Sequence, residues 1–408
     1  HNLGCKVNSY ELDVMQQFLQ KEGYEIVDFY QKADIYIINT CTVTNIADRK
    51  SRQMLHKAKA KNPDAIVVAV GCYVQTGEET VRKDECIDLA IGNNRKKDIA
   101  TILMQYLKEH EGEKERAFAE DVIDINHTDE YEEMQLTHTA EHTRAYIKIQ
   151  DGCNQFCSYC IIPYVRGRVR SKDFNTVIKE VTDLVNNGYQ EIVLTGIHTG
   201  RYGLEQNTNL ETLLKELVKI KGIFRIRLSS IEINEITDGI IDLIKNNKIM
   251  ARHLHIPLQS GSNTILNNMN RLYDLDFYLK RIDYIRKEIK DISITTDIIV
   301  GFPGETDSDV DETIEENEPA AQAVARLSRL KALAIPREED EVIVAADTVV
   351  VCDAEILGKP ASEADAYRML KMLSGKDHQV MTGVTVLREE RCETFTEVTD
   401  LHFRELSD

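Results

Sequence analysis

Three cysteines stand in the run Asp151-Gly-Cys-Asn-Gln-Phe-Cys-Ser-Tyr-Cys160, spaced as Cys153-x3-Cys157-x2-Cys160. Three thiolates this close can each hold one iron of a cubane iron–sulfur cluster, leaving the fourth iron without a protein ligand. Such an open iron can chelate the amino and carboxylate groups of S-adenosylmethionine and pass it an electron. Zinc is the main competitor, but a structural zinc site wants four protein ligands and this run supplies three. A bare trio of loop cysteines would leave reactive thiols clustered without purpose.

A second set lies nearer the start. Ala33–Thr40 and Ala65–Val70 are largely apolar runs, the mark of strands buried on both faces of a parallel sheet. A cysteine follows each, Cys41 at once and Cys72 after one glycine, and Cys5 sits where a first, mostly missing strand would end. In a doubly wound sheet, ligand sites lie outside the carboxyl ends of the strands. Cys5, Cys41 and Cys72 can therefore converge on a second three-thiolate cluster site. A lone cysteine is more often a small buried hydrophobe, and Cys86, beside the apolar stretch Ile87–Ile91, is assigned to packing.

The elements that would position the first trio repeat as strand and helix from Arg144 to about Thr306. Ala145–Gln150 is a strand running into the cysteine loop. Val177, Val181, Leu184 and Val185 share one helical face, with Asp173 or Asn175 as cap and Gly188 as stop. Strands follow at Glu191–Gly196, Phe224–Ser230, His253–Leu258 and Ile292–Val300. Polar residues gather where these strands end, among them Thr195, Gly196, His198, Ser230, Glu232, His255 and Asp297. One such cluster is an ordinary turn, but five in succession at the same end describe a ligand-binding rim on a partial TIM-like barrel.

The expected fold is α/β in four parts: a doubly wound domain (1–105), an acidic linker (106–142), a partial barrel lacking its last unit (143–307) and a truncated α/β module (308–408). In the last part Ala320–Leu333 and Glu363–Leu373 read as helices, and Glu341–Val351, Val380–Leu387 and Thr394–Phe403 as strands.

The chain has 408 residues, 42% of them hydrophobic, enough for real cores. No run approaches the roughly 18 apolar residues of a membrane span, and no export signal opens the chain, so a cytoplasmic location is expected. Opening at His1, the sequence is read as truncated. Nine cysteines without export point to metal ligands and free thiols. A net charge of −19 argues on its total against nucleic acid. Distribution matters more: Lys108–Glu133 carries much of the acidic excess, whereas Arg166, Arg168 and Arg170 form a basic run beside the cluster loop. A solvated charge run is the bland reading; phosphate contact is the functional one.

With these residues in hand, residues 1–306 closely resemble the methylthiotransferases of the radical S-adenosylmethionine superfamily. The resemblance is carried by both cysteine sets and by the phrases RLSSIE, HLHIPLQSGS and IVGFPGET. Gly4-Cys-Lys-Val-Asn8 and Leu194-Thr-Gly-Ile-His-Thr-Gly-Arg-Tyr-Gly203 are most similar to the branch acting on threonylcarbamoyladenosine in tRNA. The resemblance implies two 4Fe–4S clusters. One, on Cys153, Cys157 and Cys160, splits S-adenosylmethionine to a radical that attacks C2 of the adenine; the other, on Cys5, Cys41 and Cys72, supplies or carries sulfur. Glu232 would accept hydrogen bonds from the ribose of S-adenosylmethionine, with Ser230, Thr195, Gly196 and His255 lining the same pocket. Expected partners are tRNA, an electron donor such as flavodoxin or ferredoxin, and a sulfur source, with no membrane.

From about 308 the chain resembles another family, the Maf-type nucleoside triphosphate pyrophosphatases, through Val310-Asp-Glu312, Lys331-Ala332, Ala346-Asp-Thr-Val-Val350, Leu357-Gly-Lys-Pro360 and Leu373-Ser-Gly375. That family implies a divalent metal such as magnesium, with Asp347 and Glu312 binding it or activating water, and Lys331 and Lys359 neutralising phosphate. Its phosphate-gripping Ser-Pro-Arg-Arg loop is not found. Hydrolysis of dTTP or UTP is thus one alternative function, and a catalytically incomplete iron–sulfur protein that binds S-adenosylmethionine is another. A fusion and a chimeric reading frame both account for the junction.

Overall fold

The structure is a computed structural model that describes residues 1–109, 122–138, 144–299, 301–305, 320–334, 342–353, 355–357, 363–388 and 391–405. It divides into two compact units, His1–Ile298 and Ile299–Asp408.

The first unit opens with helix α1 (Lys6–Lys21), strand β1 (Ile35–Thr40), helix α2 (Asn45–Lys61), strand β2 (Ile66–Gly71), the short helices α3 (Cys72–Thr76) and α4 (Glu78–Lys83), strand β3 (Leu89–Ile91) and helix α5 (Ile99–Glu109). The strands form a parallel sheet in the order β1-β2-β3, with Ile35 opposite Ile66 and Val68 opposite Leu89. Their apolar runs serve two cores at once. Val68 and Val70 pack with Tyr10, Val14 and Leu103, whereas Val67 and Ala69 pack with Leu55 and Ala58 of α2. The period of two along a strand sends alternate side chains to opposite faces, which is why the run is apolar throughout.

Beyond it come β4 (Ala145–Asp151), α6 (Ile162–Val165), β5 (Arg170–Ser171), α7 (Phe174–Asn186), β6 (Glu191–Gly196), α8 (Leu210–Leu217), β7 (Arg225–Leu228), α9 (Asp238–Asn246), β8 (His253–His255), α10 (Asn263–Asn268), α11 (Leu275–Glu288) and β9 (Ser293–Thr295). Side chains at the helix starts accept from the next backbone N–H groups: Asp173 from Thr176, Asn209 from Thr212, Thr237 from Ile240 and Asp274 from Phe277. Strand β4 pairs in parallel with β6, and β6 with β7; β5 lies antiparallel on the outer side of β4. Strands β8 and β9 pair in parallel, and a single parallel bridge joins Ser230 to His255. These sheets are open. All five parallel strands end on the same side.

The stretch 122–138, expected as linker, contributes Ile125, Met134 and Leu136 to buried positions, and Met134 and Leu136 share the core of α1, α5 and β4.

In the second unit, α12 (Ala320–Ala334) packs on an antiparallel sheet of order β11-β10-β12-β13, made of β10 (Val342–Cys352), β11 (Glu355–Leu357), β12 (Asp377–Arg388) and β13 (Arg391–His402), with α13 (Glu363–Leu373) between β11 and β12. Gly383 permits the close approach: a Cβ there would lie 2.0 Å from the Val324 carbonyl oxygen. No helix among the described residues is long and apolar enough to cross a membrane.

Candidate active site

Strand β4 delivers the cysteine loop through Gly152. Its φ of +73° suits glycine, and a Cβ would stand 1.8 Å from the Arg168 carbonyl oxygen, so the returning chain leaves no room for a side chain. Cys153 N then donates to Gly167 O at 3.0 Å, and Cys160 N to Cys157 O at 2.9 Å. The far side of the loop is pinned where α10 ends: Ser158 Oγ donates to Asn268 O (2.8 Å), and Asn270 Nδ2 to Phe156 O (3.1 Å). Burial pushes the Cys157 thiol up and the Cys160 thiol to about 11. Thiolates here therefore need a cation close by, which a metal cluster supplies.

Two side chains address the cysteine sulfurs. Arg271 Nη1 lies 3.4 Å from Cys157 Sγ, and the same guanidinium forms an ion pair with Glu232. His198 Nδ1 lies 3.3 Å from Cys153 Sγ, while its Nε2 is 2.9 Å from Glu235 Oε1. Burial works against the imidazolium, but Cys153 and Glu235 outweigh it and hold His198 at about 9. A cavity of about 420 Å³ opens beside them, lined by Asn154, Gln155, His198, Arg201 and Leu272.

The other three cysteines stand at the ends of their elements. Cys5 precedes α1 and is exposed, Cys41 follows β1 and is buried, and Cys72 begins α3 and is buried. Gly4, at φ +103°, lies so close that a Cβ would be 3.0 Å from Cys41 Sγ. Burial raises the Cys41 thiol as well. All nine cysteines are free. Both donor sets thus fit a metal cluster: three thiols apiece, buried or half-buried for the most part, with no disulfide competing for them.

The elements after the two sets touch. Helix α3, which Cys72 opens, packs against α6, which follows Cys160. Asn93 joins them, donating to Val165 O at 2.6 Å with its Nδ2 also 3.6 Å from Cys72 Sγ.

Ser51 holds Cys41 by both backbone groups, accepting from its N–H at 3.1 Å and donating to its carbonyl at 2.9 Å. Ser51→Ala is expected to cost about 1 kcal/mol in denaturant unfolding, because it strands a buried N–H despite alanine's better helix propensity. An unchanged or higher midpoint would contradict this role.

Of the residues expected around S-adenosylmethionine, Glu232 comes within one side chain of Cys157 through Arg271. Thr195 is buried at the end of β6, and a Cβ on Gly196 would sit 3.0 Å from Gln150 Oε1. Ser230 is exposed and in bridge register with His255, whose ring meets Thr295 Oγ1 at 2.9 Å and Asp297 Oδ2 at 3.1 Å.

The basic run is corrected. Arg166 and Arg170 are buried and do not face solvent as phosphate contacts would. Arg166 Nη1 reaches Glu11 Oε1 at 2.8 Å and Asp151 Oδ2 at 3.2 Å, and Arg170 Nη2 donates to the Arg166 carbonyl. Two buried carboxylates demand cations, and Arg166, Lys148 and Lys96 answer Glu11 together. Arg168 is half-buried, its guanidinium 4.5 Å over the Phe156 ring. In the second unit Glu312 and Lys359 lie outside the described residues; Lys331 falls on α12 and Asp347 on β10.

Comparison with known proteins accords with this geometry. A model described as the radical SAM superfamily matches residues 147–316, one described as uncharacterized protein family UPF0004 matches 1–92, and one described as Maf-like protein matches 291–408. The chain is 42% identical over 347 residues to the threonylcarbamoyladenosine tRNA methylthiotransferase MtaB of Bacillus subtilis, covering 84% of this chain and 76% of that one. It is 42% identical to the Aquifex aeolicus protein of the same name (77% and 75% covered). It is 36% identical to the tRNA-2-methylthio-N(6)-dimethylallyladenosine synthase of Clostridium tetani (76% and 69% covered). Among solved structures, the radical S-adenosylmethionine methyltransferase TsrM from Kitasatospora setae is alike in fold, with a TM-score of 0.54 at 16% identity over 74% of this chain and 68% of that one. With both cysteine sets placed and relatives of this length and identity, the chain belongs to the tRNA methylthiotransferases of the radical S-adenosylmethionine superfamily.

Proposed function

We propose that this chain adds a methylthio group to C2 of N6-threonylcarbamoyladenosine at position 37 of tRNA. The observation that carries the reading is the packing of α3, which Cys72 opens, against α6, which follows Cys160, with Asn93 spanning Cys72 and Val165. The relatives at 42% identity, named for threonylcarbamoyladenosine, support the branch. A 4Fe–4S cluster on Cys153, Cys157 and Cys160 would supply reductive cleavage of S-adenosylmethionine, and a second on Cys5, Cys41 and Cys72 would supply sulfur.

The chain's own residues orient and enclose. Glu232, steered by Arg271, offers carboxylate oxygens to ribose hydroxyls, and Ser230, Thr195, Gly196 and His255 line the same pocket. The parallel strands β4, β6, β7, β8 and β9 form the partial barrel, whose strand ends hold the reacting carbon near the radical source and keep water away. Residues 1–105 carry the second trio, 106–142 connect, 143–307 carry the first, and 308–408 form the Maf-like part. Arg168 is the member of the basic run left to meet RNA phosphate. The electron comes from a flavodoxin or ferredoxin, a separate source renews the sulfur, and the work is done in the cytoplasm. In the Maf-like part Asp347 and Glu312 would take magnesium, with Lys331 and Lys359 facing phosphate.

Expression in a bacterial strain stripped of its own methylthiotransferases tests the assignment. Nucleosides from its tRNA are expected to contain methylthio-threonylcarbamoyladenosine by mass spectrometry. The dimethylallyl counterpart alone would move the chain to the neighbouring branch, and neither product would end the proposal.

A further inference from the structure

Away from both trios, helix α2 and the turn between α4 and β3 bring together three side chains of metal-ligating type. His56, Asp84 and Cys86 each present one donor atom, and the three atoms lie within 4.8 Å of one another. Asp84 anchors the group. Its Oδ2 is 2.8 Å from His56 Nε2, and its Oδ1 accepts from the Cys86 backbone N–H at 3.0 Å. That second bond fixes how the turn presents the Cys86 side chain to the carboxylate. Cys86 is a free thiol of intermediate exposure. Nearby Lys59 is engaged with Asp88 Oδ2 (2.7 Å) and the Ala65 carbonyl (2.9 Å).

We propose that His56, Asp84 and Cys86 form a binding site for one divalent transition ion of the zinc class. Imidazole, carboxylate and thiolate are the donor types zinc takes, and this soft-to-borderline set disfavours magnesium or calcium, which want oxygen alone. Donor atoms already this close need small side-chain rotations to face a common centre, and His56, with its side chain 57% exposed, has freedom to make one. Three protein ligands leave the fourth position to water. The ion would tie α2, on which Ser51 holds Cys41, to the turn entering β3, at the end of the parallel sheet opposite the second trio. It is separate from that trio: none of its ligands follows β1 or β2 directly.

The test uses full-length, anaerobically reconstituted protein, in which the six cluster cysteines are occupied, titrated with zinc ion alone. One zinc per chain is expected beyond the cluster iron, and zinc K-edge absorption is expected to show one sulfur among nitrogen and oxygen neighbours. Cys86→Ser is expected to weaken binding at least ~10-fold and remove the sulfur shell, and His56→Gln to weaken it similarly. Cys352→Ser and Cys392→Ser serve as thiol controls and are expected to change neither. Cluster absorbance retained in Cys86→Ser reports that the fold is intact. Absence of stoichiometric zinc binding, or zinc held with the same affinity and sulfur shell in Cys86→Ser, overturns the proposal.

Discussion

Cys157→Ala is expected to abolish release of 5′-deoxyadenosine from S-adenosylmethionine, whereas Cys41→Ala is expected to preserve it and lose only the methylthio product. Each loss should exceed about 100-fold, or ~2.7 kcal/mol of transition-state stabilisation. The separation follows from how the two trios are built. Cys157 belongs to a loop held by Gly152, Gly167 and the residues closing α10, while Cys41 is held by Ser51 and crowded by Gly4 at the end of a different sheet. Asn93 and Arg166 are among the side chains that link the elements carrying them. Removing one thiol from either trio leaves the other's supports in place. Anaerobic assays of dithionite-reduced protein, with iron counted per chain, separate the outcomes. Cys41→Ala protein that keeps its first cluster yet fails to cleave S-adenosylmethionine would defeat the two-site reading.

What could be read before folding was whatever lies within one element or one loop. The Cys153-x3-Cys157-x2-Cys160 spacing is such a feature, as are the strand-then-cysteine placements of Cys41 and Cys72 and the cap at Asp173. Each depends on neighbours within a few positions. His198 was legible as a rim residue after β6, but its contact with Cys153, 45 positions earlier, was not; Arg271 escaped altogether, because it reaches a cysteine sulfur 114 positions away and nothing in its local sequence marks it out. The basic run misled for a related reason. Arginines alternating with small residues look like a solvated face, and Arg166 turns inward only because Glu11, 155 positions earlier, is buried beside it. One signal was available: Lys148 interrupts the apolar strand Ala145–Gln150, and a fully buried lysine requires a buried acid. The stretch 122–138 hid its role similarly. Met134 and Leu136 are two apolar residues among carboxylates, too short a pattern to announce a strap across the core.

Arg166→Ala is expected to destabilise the first unit by about 3–5 kcal/mol, a large share of the ~5–15 kcal/mol typical of a folded protein. The guanidinium is buried and meets Glu11, Asp151 and Asn8 at once, so its removal leaves Glu11 to Lys96 and Lys148, and Asp151 to Lys148 and the Gly152 N–H. Burial works against the Glu11 carboxylate, yet Arg166, Lys148 and Lys96 outweigh it and hold its pKa well below the ordinary value. The sign of the pH dependence follows. A depressed carboxylate stabilises the fold above its unfolded pKa, near 4.3, and that contribution drains away as pH falls below it. Without Arg166 the Glu11 pKa moves back up toward its unfolded value, so the variant has less of this contribution to lose and its stability should fall less steeply than the parent's on acidification. Glu11→Ala in the same background removes the acid that Lys96 and Lys148 also answer, and because Arg166 and Glu11 share one network the double-mutant cycle should be non-additive. Denaturant unfolding at pH 7 and at about pH 3, below the unfolded carboxylate pKa, reads all three effects; a loss below ~1 kcal/mol at pH 7, or strict additivity, would show that the network is not cooperative. The same network bears on chemistry, because Arg166 fastens α1, which begins at the second trio, to the strand and loop that carry the first. Destabilised but folded Arg166→Ala protein should therefore lose methylthio transfer more steeply than cleavage of S-adenosylmethionine, since only the transfer requires the two trios to keep their mutual register.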